Sequence, residues 1–305
     1  MSRARPKTFV IGARGFLGRH AVRAMAADFD VIKGVRASAE KALAEKMPAQ
    51  EVDEIGIDIT QLSSVNRAFE QAKPEIVLLL AAISDIDQCE QNPEEATAVN
   101  VRGAEHVVNA CRRINARLLF TSTGAVFDGR KHGYTEEDMP SPISVYGKTK
   151  TQAEAKVLEL GWSAIIVRIA LAIGFAVENG TNAVLDKMAK RLKAGETIEL
   201  PTFEQRNPID AGTLSRFFIE LLQQPETHGI FHAGAQEPVS RYELGRKLAA
   251  RMGYPNLVQP QRQPIKGRAP RGPDHYLLPN KLAGICTTPI PTCDQVIERC
   301  FDGVA

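Results

Sequence analysis

A tyrosine and a lysine stand four residues apart in the stretch YGKTK, Tyr146 to Lys150. On a helix, positions i and i+4 share a face, so the phenol and the amine would point the same way. A phenol with a pKa of about 10 is a poor proton-transfer group near neutral pH, and a nearby ammonium stabilises the phenolate and lowers that value. Such a tyrosine gives its proton to a carbonyl oxygen as hydride arrives, or takes one back in reverse. The run TST, Thr121 to Thr123, ends an apolar segment and supplies hydroxyls to orient that oxygen. A Tyr-x-x-x-Lys spacing alone is a frequent chance match on a solvated helix. It gains meaning from the residues upstream.

Near the N-terminus, VIGARGFLG places Gly12, Gly15 and Gly18 between a short apolar run and a helix-period stretch. That context supports a dinucleotide site. The first glycine permits a tight turn, the second lets amides approach a pyrophosphate, and the third lets the helix pack closely on the sheet. The helix opening at Phe16 and Leu17 offers unpaired N–H groups and partial positive charge to the anion. A carboxylate about 20 residues further on would hold the ribose 2′-hydroxyl of NAD; this chain has VIKGVRAS there, with Arg36 and no acid. Arg14 and Arg36 suit a 2′-phosphate, so NADP(H) is expected over NAD(H). The alternative is that both arginines point into solvent.

These groups need a frame, and the first half of the chain alternates strand and helix signals. The apolar segments KTFVIGA, DVIKGV, VDEIGIDI, PEIVLLLAA and ARLLFTST read as five strands. Helical periodicity separates them, in SAEKALAEK, QLSSVNRAFEQA and the long PEEATAVNVRGAEHVVNACRRIN among others. This predicts an α/β, Rossmann-like, doubly wound parallel sheet with right-handed crossovers. SVYGKTKTQAEAKVLEL reads as a helix with Ser144 as a possible N-cap, and SAIIVRIALAIG as a sixth strand. Residues 1–175 would form the cofactor-binding domain with the catalytic helix. Residues 176–305, richer in proline, would form a smaller substrate-binding lobe partly woven back onto the sheet.

Composition excludes several functions. The chain has 305 residues, 44% hydrophobic and 24% charged, with a formal net charge of +2. Such near-neutrality makes no case for a nucleic acid or membrane partner. The longest apolar run, IVLLLAAI, is far too short to span a bilayer. The basic start MSRARPK leads into a strand and a glycine turn and does not read as a signal peptide. Five cysteines without a CxxC pair, and histidines away from them, predict no metal site and reduced thiols in a cytoplasmic protein. Cys286, Cys293 and Cys300, spaced by seven, could share one helix face.

Taken together, these motifs resemble an extended short-chain dehydrogenase/reductase. Within that superfamily the chain is most similar to the dTDP-4-dehydrorhamnose reductase group and the related regulatory β subunit of methionine adenosyltransferase. The resemblance is carried by GARGFLG, the DIT of Asp58 to Thr60, Ala81–Ala82, NPEEATAVNVRG, STGAVFDG, YTEEDMPSPISVYGKTKTQAE and RAPRGPDHYLLPNKL. It implies Thr123, Tyr146 and Lys150 as the catalytic group, with Lys150 also on the nicotinamide ribose. It implies Asp58 and Ile59 on the adenine side, and Ala81 and Ala82 where the fourth strand nears the cofactor. Asn100 would lie near the nicotinamide, or else serve packing. Ser84, Thr123, Gly124, Ala125, Arg268 and Arg271 are the expected substrate contacts, the two arginines gripping a nucleotide diphosphate or else the protein's own acidic surface. Gly124 and Ala125 stand where the rhamnose reductases usually carry Asp-Tyr, which predicts a pocket open to a different or larger substrate. The expected activity is NADPH-dependent reduction of a nucleotide-linked 4-keto-6-deoxy sugar. The alternatives are an epimerase, which usually holds NAD, a non-catalytic regulatory subunit, and a reductase of a small non-sugar carbonyl. A homodimer is possible.

Overall fold

Near-continuous apolar runs can be satisfied only by strands covered on both faces, and these runs form such strands. The computed structural model describes residues 4–36, 54–177 and 184–302. In chain order they give β1 (Lys7–Ile11), α1 (Phe16–Met25), β2 (Asp30–Val35), β3 (Glu54–Gly56), α2 (Leu62–Ala72), β4 (Ile76–Leu79), α3 (Ile86–Gln91), α4 (Pro93–Thr97), α5 (Ala104–Ile114), β5 (Arg117–Thr123), α6 (Val145–Leu158) and β6 (Ala164–Ile169). There follow β7 (Leu171–Ile173), α7 (Val184–Lys193), β8 (Ile198–Pro201), β9 (Gln205–Arg206), β10 (Pro208–Asp210), α8 (Ala211–Gln223), β11 (Gly229–Ala233), β12 (Val239–Ser240), α9 (Arg241–Arg251), β13 (Val258–Gln261), β14 (Asp274–His275), α10 (Asn280–Ala283) and α11 (Cys293–Phe301).

The main sheet has seven strands in the order β11-β6-β5-β4-β1-β2-β3, every pairing parallel. The order reverses between β1 and β4, the switch point at which open α/β sheets bind ligands beyond the carboxyl ends of their strands. Side chains of successive strand residues face opposite sides, and the two cores divide accordingly. Phe9, Ile11, Leu79, Phe120 and Ile166 pack with α2, α5 and α6. Val10, Leu78, Leu119, Val167 and Phe231 pack with α1 and α8. A third core, with Leu185, Leu192, Leu244, Leu248 and Val296, lies among α7, α9 and α11. No helix among the described residues is long and apolar enough to cross a membrane.

Several elements differ from the sequence reading. The predicted long helix after β4 is three consecutive pieces, because a π-helical turn over Ala98–Gly103 joins α4 to α5. The predicted sixth strand breaks at Ala170: Ala164–Ile169 stays in the main sheet, while Leu171–Ile173 leaves to pair with β10. Cys286 precedes α11, so only Cys293 and Cys300 lie on that helix. The helix expected over Ser38–Lys46 lies outside the described residues.

Candidate active site

The glycine turn follows β1 directly. Gly12 has φ +92°, and a Cβ there would lie 2.8 Å from the amide nitrogen of Ala81. Glycine therefore answers two demands, a left-handed conformation and the close approach of β4. A Cβ on Gly18 would stand 2.2 Å from the Gly12 carbonyl oxygen, so α1 can begin this near β1 only without one. The cap residue Gly15 offers no side chain to α1, and the first turn of the helix holds no acid. Phe16 and Leu17 thus open the helix with amides that no side chain caps, a cradle suited to a phosphate.

The other expected cofactor residues are placed as follows. Arg14 is exposed and ion-paired with Glu54 at 2.8 Å, and Arg36 is exposed just past β2. One of the two guanidinium groups is thus already matched by a carboxylate, which the sequence reading missed. Asp58 accepts from the Thr60 amide at 3.0 Å and the Thr60 hydroxyl at 2.7 Å. Ile59 is buried in the core. Asn100 is buried and its amide is fully engaged: Oδ1 accepts from the Ile83 N–H at 2.8 Å, while Nδ2 donates to the Ile83 carbonyl and to Thr149 Oγ1. It ties the loop after β4 to α6. Ala82 and the exposed Ser84 lie on that same loop.

Thr123 ends β5, two strands from β1. At 4.8 Å per strand, the hydroxyl-bearing end of β5 stands roughly 10 Å from the glycine turn. Tyr146 and Lys150 reach the same place from α6. Ser144 caps that helix, its Oγ accepting from the Gly147 N–H at 3.1 Å. A Cβ on Gly147 would lie 2.1 Å from the Ala125 carbonyl oxygen, so this glycine seats the helix against the turn that follows Thr123. The Thr123 Oγ1 accepts from the Ala125 N–H at 3.1 Å.

All three catalytic candidates are buried, with Tyr146 and Thr123 at 9% exposure and Lys150 at 3%. Burial pushes the Tyr146 phenol up to about 12, and the Thr123 hydroxyl bonded to it offsets this in part. Burial pulls the Lys150 amine down to about 7, opposed chiefly by the charge of Glu154. Burial disfavours the charged form of each residue, raising the phenol and lowering the amine. The Lys150 Nζ lies 3.9 Å above the centre of the Phe120 ring.

The substrate side also departs from expectation. Gly124 is buried, and a Cβ there would lie 3.1 Å from the Cβ of His275. The space left by the missing side chain is filled by His275 from β14, so Gly124 does not open a larger pocket. Ala125 packs with Cys89, Ala96 and Tyr146. Arg271 spends its fork on Asp87, at 3.1 and 2.7 Å. Arg268 lies 3.9 Å from Asp87 and 3.8 Å from Glu204. Buried Arg206 lies 3.8 Å from Glu204, whose charge also acts on Arg241. Sequence reading missed Arg206 and His275, which sit in two-residue strands without a periodic signal, and Arg241, which opens α9. It missed Glu154 too, although that residue continues the four-residue spacing of Tyr146 and Lys150.

The chain matches the RmlD substrate binding domain family over residues 6–305. It is 31% identical over 247 residues, 80% of each chain, to the probable low-salt glycan biosynthesis reductase Agl14 of Haloferax volcanii. It is 28% identical over 204 residues to methionine adenosyltransferase 2 subunit beta of Rattus norvegicus, 66% of this chain and 61% of that one. The fold superposes on the crystal structure of dTDP-4-dehydrorhamnose reductase from Bacillus anthracis in complex with NADP, with TM-score 0.84, 24% identity and 99% of each chain covered. A glycine cradle, a strand-end threonine and a buried tyrosine–lysine pair on this frame are accounted for together: the chain is an extended short-chain dehydrogenase/reductase and belongs to the RmlD substrate binding domain family.

Proposed function

We propose that this chain is an NADPH-dependent ketoreductase of a nucleotide-linked sugar, with a 4-keto-6-deoxy sugar as the leading substrate. What supports the reading is the burial of Thr123 and Tyr146 together, with Lys150 over Phe120, at the end of a strand two away from the one that leads into the glycine turn. The bound nicotinamide would supply the hydride. The Thr123 and Tyr146 hydroxyls would hold the substrate carbonyl oxygen. Burial keeps Tyr146 a phenol at neutral pH, the form that can give a proton as the carbonyl carbon accepts hydride. Lys150, as an ammonium, would stabilise the phenolate left behind. Gly12, Arg14, Gly15, Phe16, Leu17, Gly18, Asp58, Ile59, Ala81 and Ala82 would line the cofactor cleft, with Asn100 bracing it. Arg14 and Arg36, both exposed and neither fixed in the core, support NADPH over NADH because a guanidinium fork matches a 2′-phosphate.

On the substrate side, Arg268 and Arg271 would have to exchange Asp87 and Glu204 for a diphosphate, while buried Arg206 holds backbone carbonyls. An apolar cleft of about 170 Å³ adjoins Arg241, walled by Leu171, Ile173, Met188, Ile198 and Leu248, and suits a base or another flat apolar group. The test is a panel of keto sugar nucleotides with NADPH or NADH, followed by the loss of reduced-cofactor absorbance. Turnover of a 4-keto-6-deoxy sugar nucleotide with NADPH preferred supports the proposal. Interconversion of sugar epimers with retained NAD would replace it. The similarity to the methionine adenosyltransferase subunit favours a second reading, a non-catalytic partner subunit. Silence across the panel, together with co-purification of a partner enzyme, would establish that reading.

A further inference from the structure

Glu154 stands one helical turn beyond Lys150 on α6 and is 3% exposed. Both of its oxygens are taken by one partner: Arg168 donates from Nε to Oε1 at 2.9 Å and from a terminal nitrogen to Oε2 at 2.7 Å. Arg168 comes from β6 and is 1% exposed. Beyond it, the other terminal nitrogen lies 3.5 Å from His232 Nε2, and the guanidinium carbon lies 5.1 Å from the Phe127 ring centre. His232 is fully buried. Desolvation and the charge of Arg168 hold it neutral, its pKa pulled down to about 3.

A buried ion pair is weak evidence for stability, since well-packed apolar residues of similar volume often serve as well or better. The surroundings are apolar here, with Ala153, Val157 and Ile166 in the same core. The pair therefore calls for another account, and Lys150 supplies one. The titratable and charged groups acting on that amine are Glu154 from its own helix and Cys89 from α3. Tyr146 lies one turn before it. β5 presents the uncharged Phe120 ring. The carboxylate in this set is Glu154, and Arg168 holds it in place.

We propose that Glu154, oriented by Arg168, is a positioning residue of the catalytic group, whose carboxylate holds Lys150 as an ammonium in a pocket that otherwise disfavours charge. The importance of that charge rests on the function proposed above, but the test needs no substrate. The full chain is labelled with 13Cε-lysine, and the Lys150 resonance is assigned by its loss in Lys150→Arg. Its titration is then followed by NMR from about pH 5 to about pH 10. Glu154→Gln should lower the Lys150 midpoint by about one unit or more. Because that variant leaves a buried guanidinium unpaired and is prone to unfold, the deciding variant is Glu154→Gln/Arg168→Met, which removes both charges. A lowered Lys150 midpoint in the folded double variant supports the proposal. An unchanged midpoint overturns it, whatever happens to thermal stability. A chain that reduced no sugar would fail the functional proposal and leave this titration standing.

Discussion

Gly147→Ala sets two effects of known sign against each other. Glycine in a helix costs about 0.8–1.0 kcal/mol relative to alanine, so propensity alone says the substitution stabilises α6. The packing says otherwise. The new Cβ would sit 2.1 Å from the Ala125 carbonyl oxygen, and ordinary contact begins near 3.4 Å, so the helix or the turn must yield by more than 1 Å. The obstruction is backbone, and no side chain can rotate away. Overpacking of this kind costs about 1–3 kcal/mol, enough to cancel the propensity gain and leave a net loss of up to about 2 kcal/mol. The larger effect falls on chemistry. The displaced turn carries Thr123 and the displaced helix carries Tyr146 and Lys150, and a 1 Å misplacement can cost about a hundredfold in rate. Urea unfolding and NADPH-linked turnover, measured on the same preparation, separate the two consequences. A variant that is more stable than wild type and equally active would refute the reasoning.

Four further outcomes are expected. Arg14→Ala should weaken NADPH binding by about tenfold or more while sparing NADH, as loss of a charge-assisted contact to a 2′-phosphate requires; Glu54→Gln, which frees Arg14 from an exposed pair worth at most about 1 kcal/mol, should tighten NADPH by no more than about fivefold, both read by fluorescence titration. Lys150 has its folded pKa near 7, below the unfolded value of about 10.4, so between these values the unfolded chain binds more protons and stability rises with pH; Lys150→Met should therefore gain on wild type more at about pH 6 than at about pH 9 in paired urea melts. Gly124→Ala must push His275 by a few tenths of an ångström and should lower the melting temperature without enlarging the range of sugars accepted, which a substrate panel checks.

The main sheet was legible because its strands are buried on both faces and bounded by glycine or polar turns. IVLL of β4 and AIIVRI of β6 are buried at every position, and such runs leave little choice of element. The catalytic spacing was legible for a related reason, since helical periodicity brings Tyr146 and Lys150 to one face. What stayed hidden depends on long-range contacts. Nothing local announces that the chain turns out of the main sheet at Ala170, or that Ala98–Gly103 widens into a π-helical turn. The filling of Gly124 by His275 joins residues 151 positions apart, and Arg271 meets Asp87 across 184. Neither pairing has a periodic signature. The depth at which Tyr146 and Lys150 lie was not legible either, because spacing reports neighbours and not burial.

The account rests on Tyr146 as the proton donor, and Tyr146→Phe tests it with one atom removed from an otherwise unchanged ring. NADPH affinity is measured by fluorescence, and single-turnover reduction of an accepted keto sugar nucleotide by stopped-flow absorbance. The account predicts NADPH binding within a few-fold of wild type and reduction slowed by about a hundredfold or more, the range assigned to a positioned acid. Reduction at the wild-type rate by that variant would contradict it.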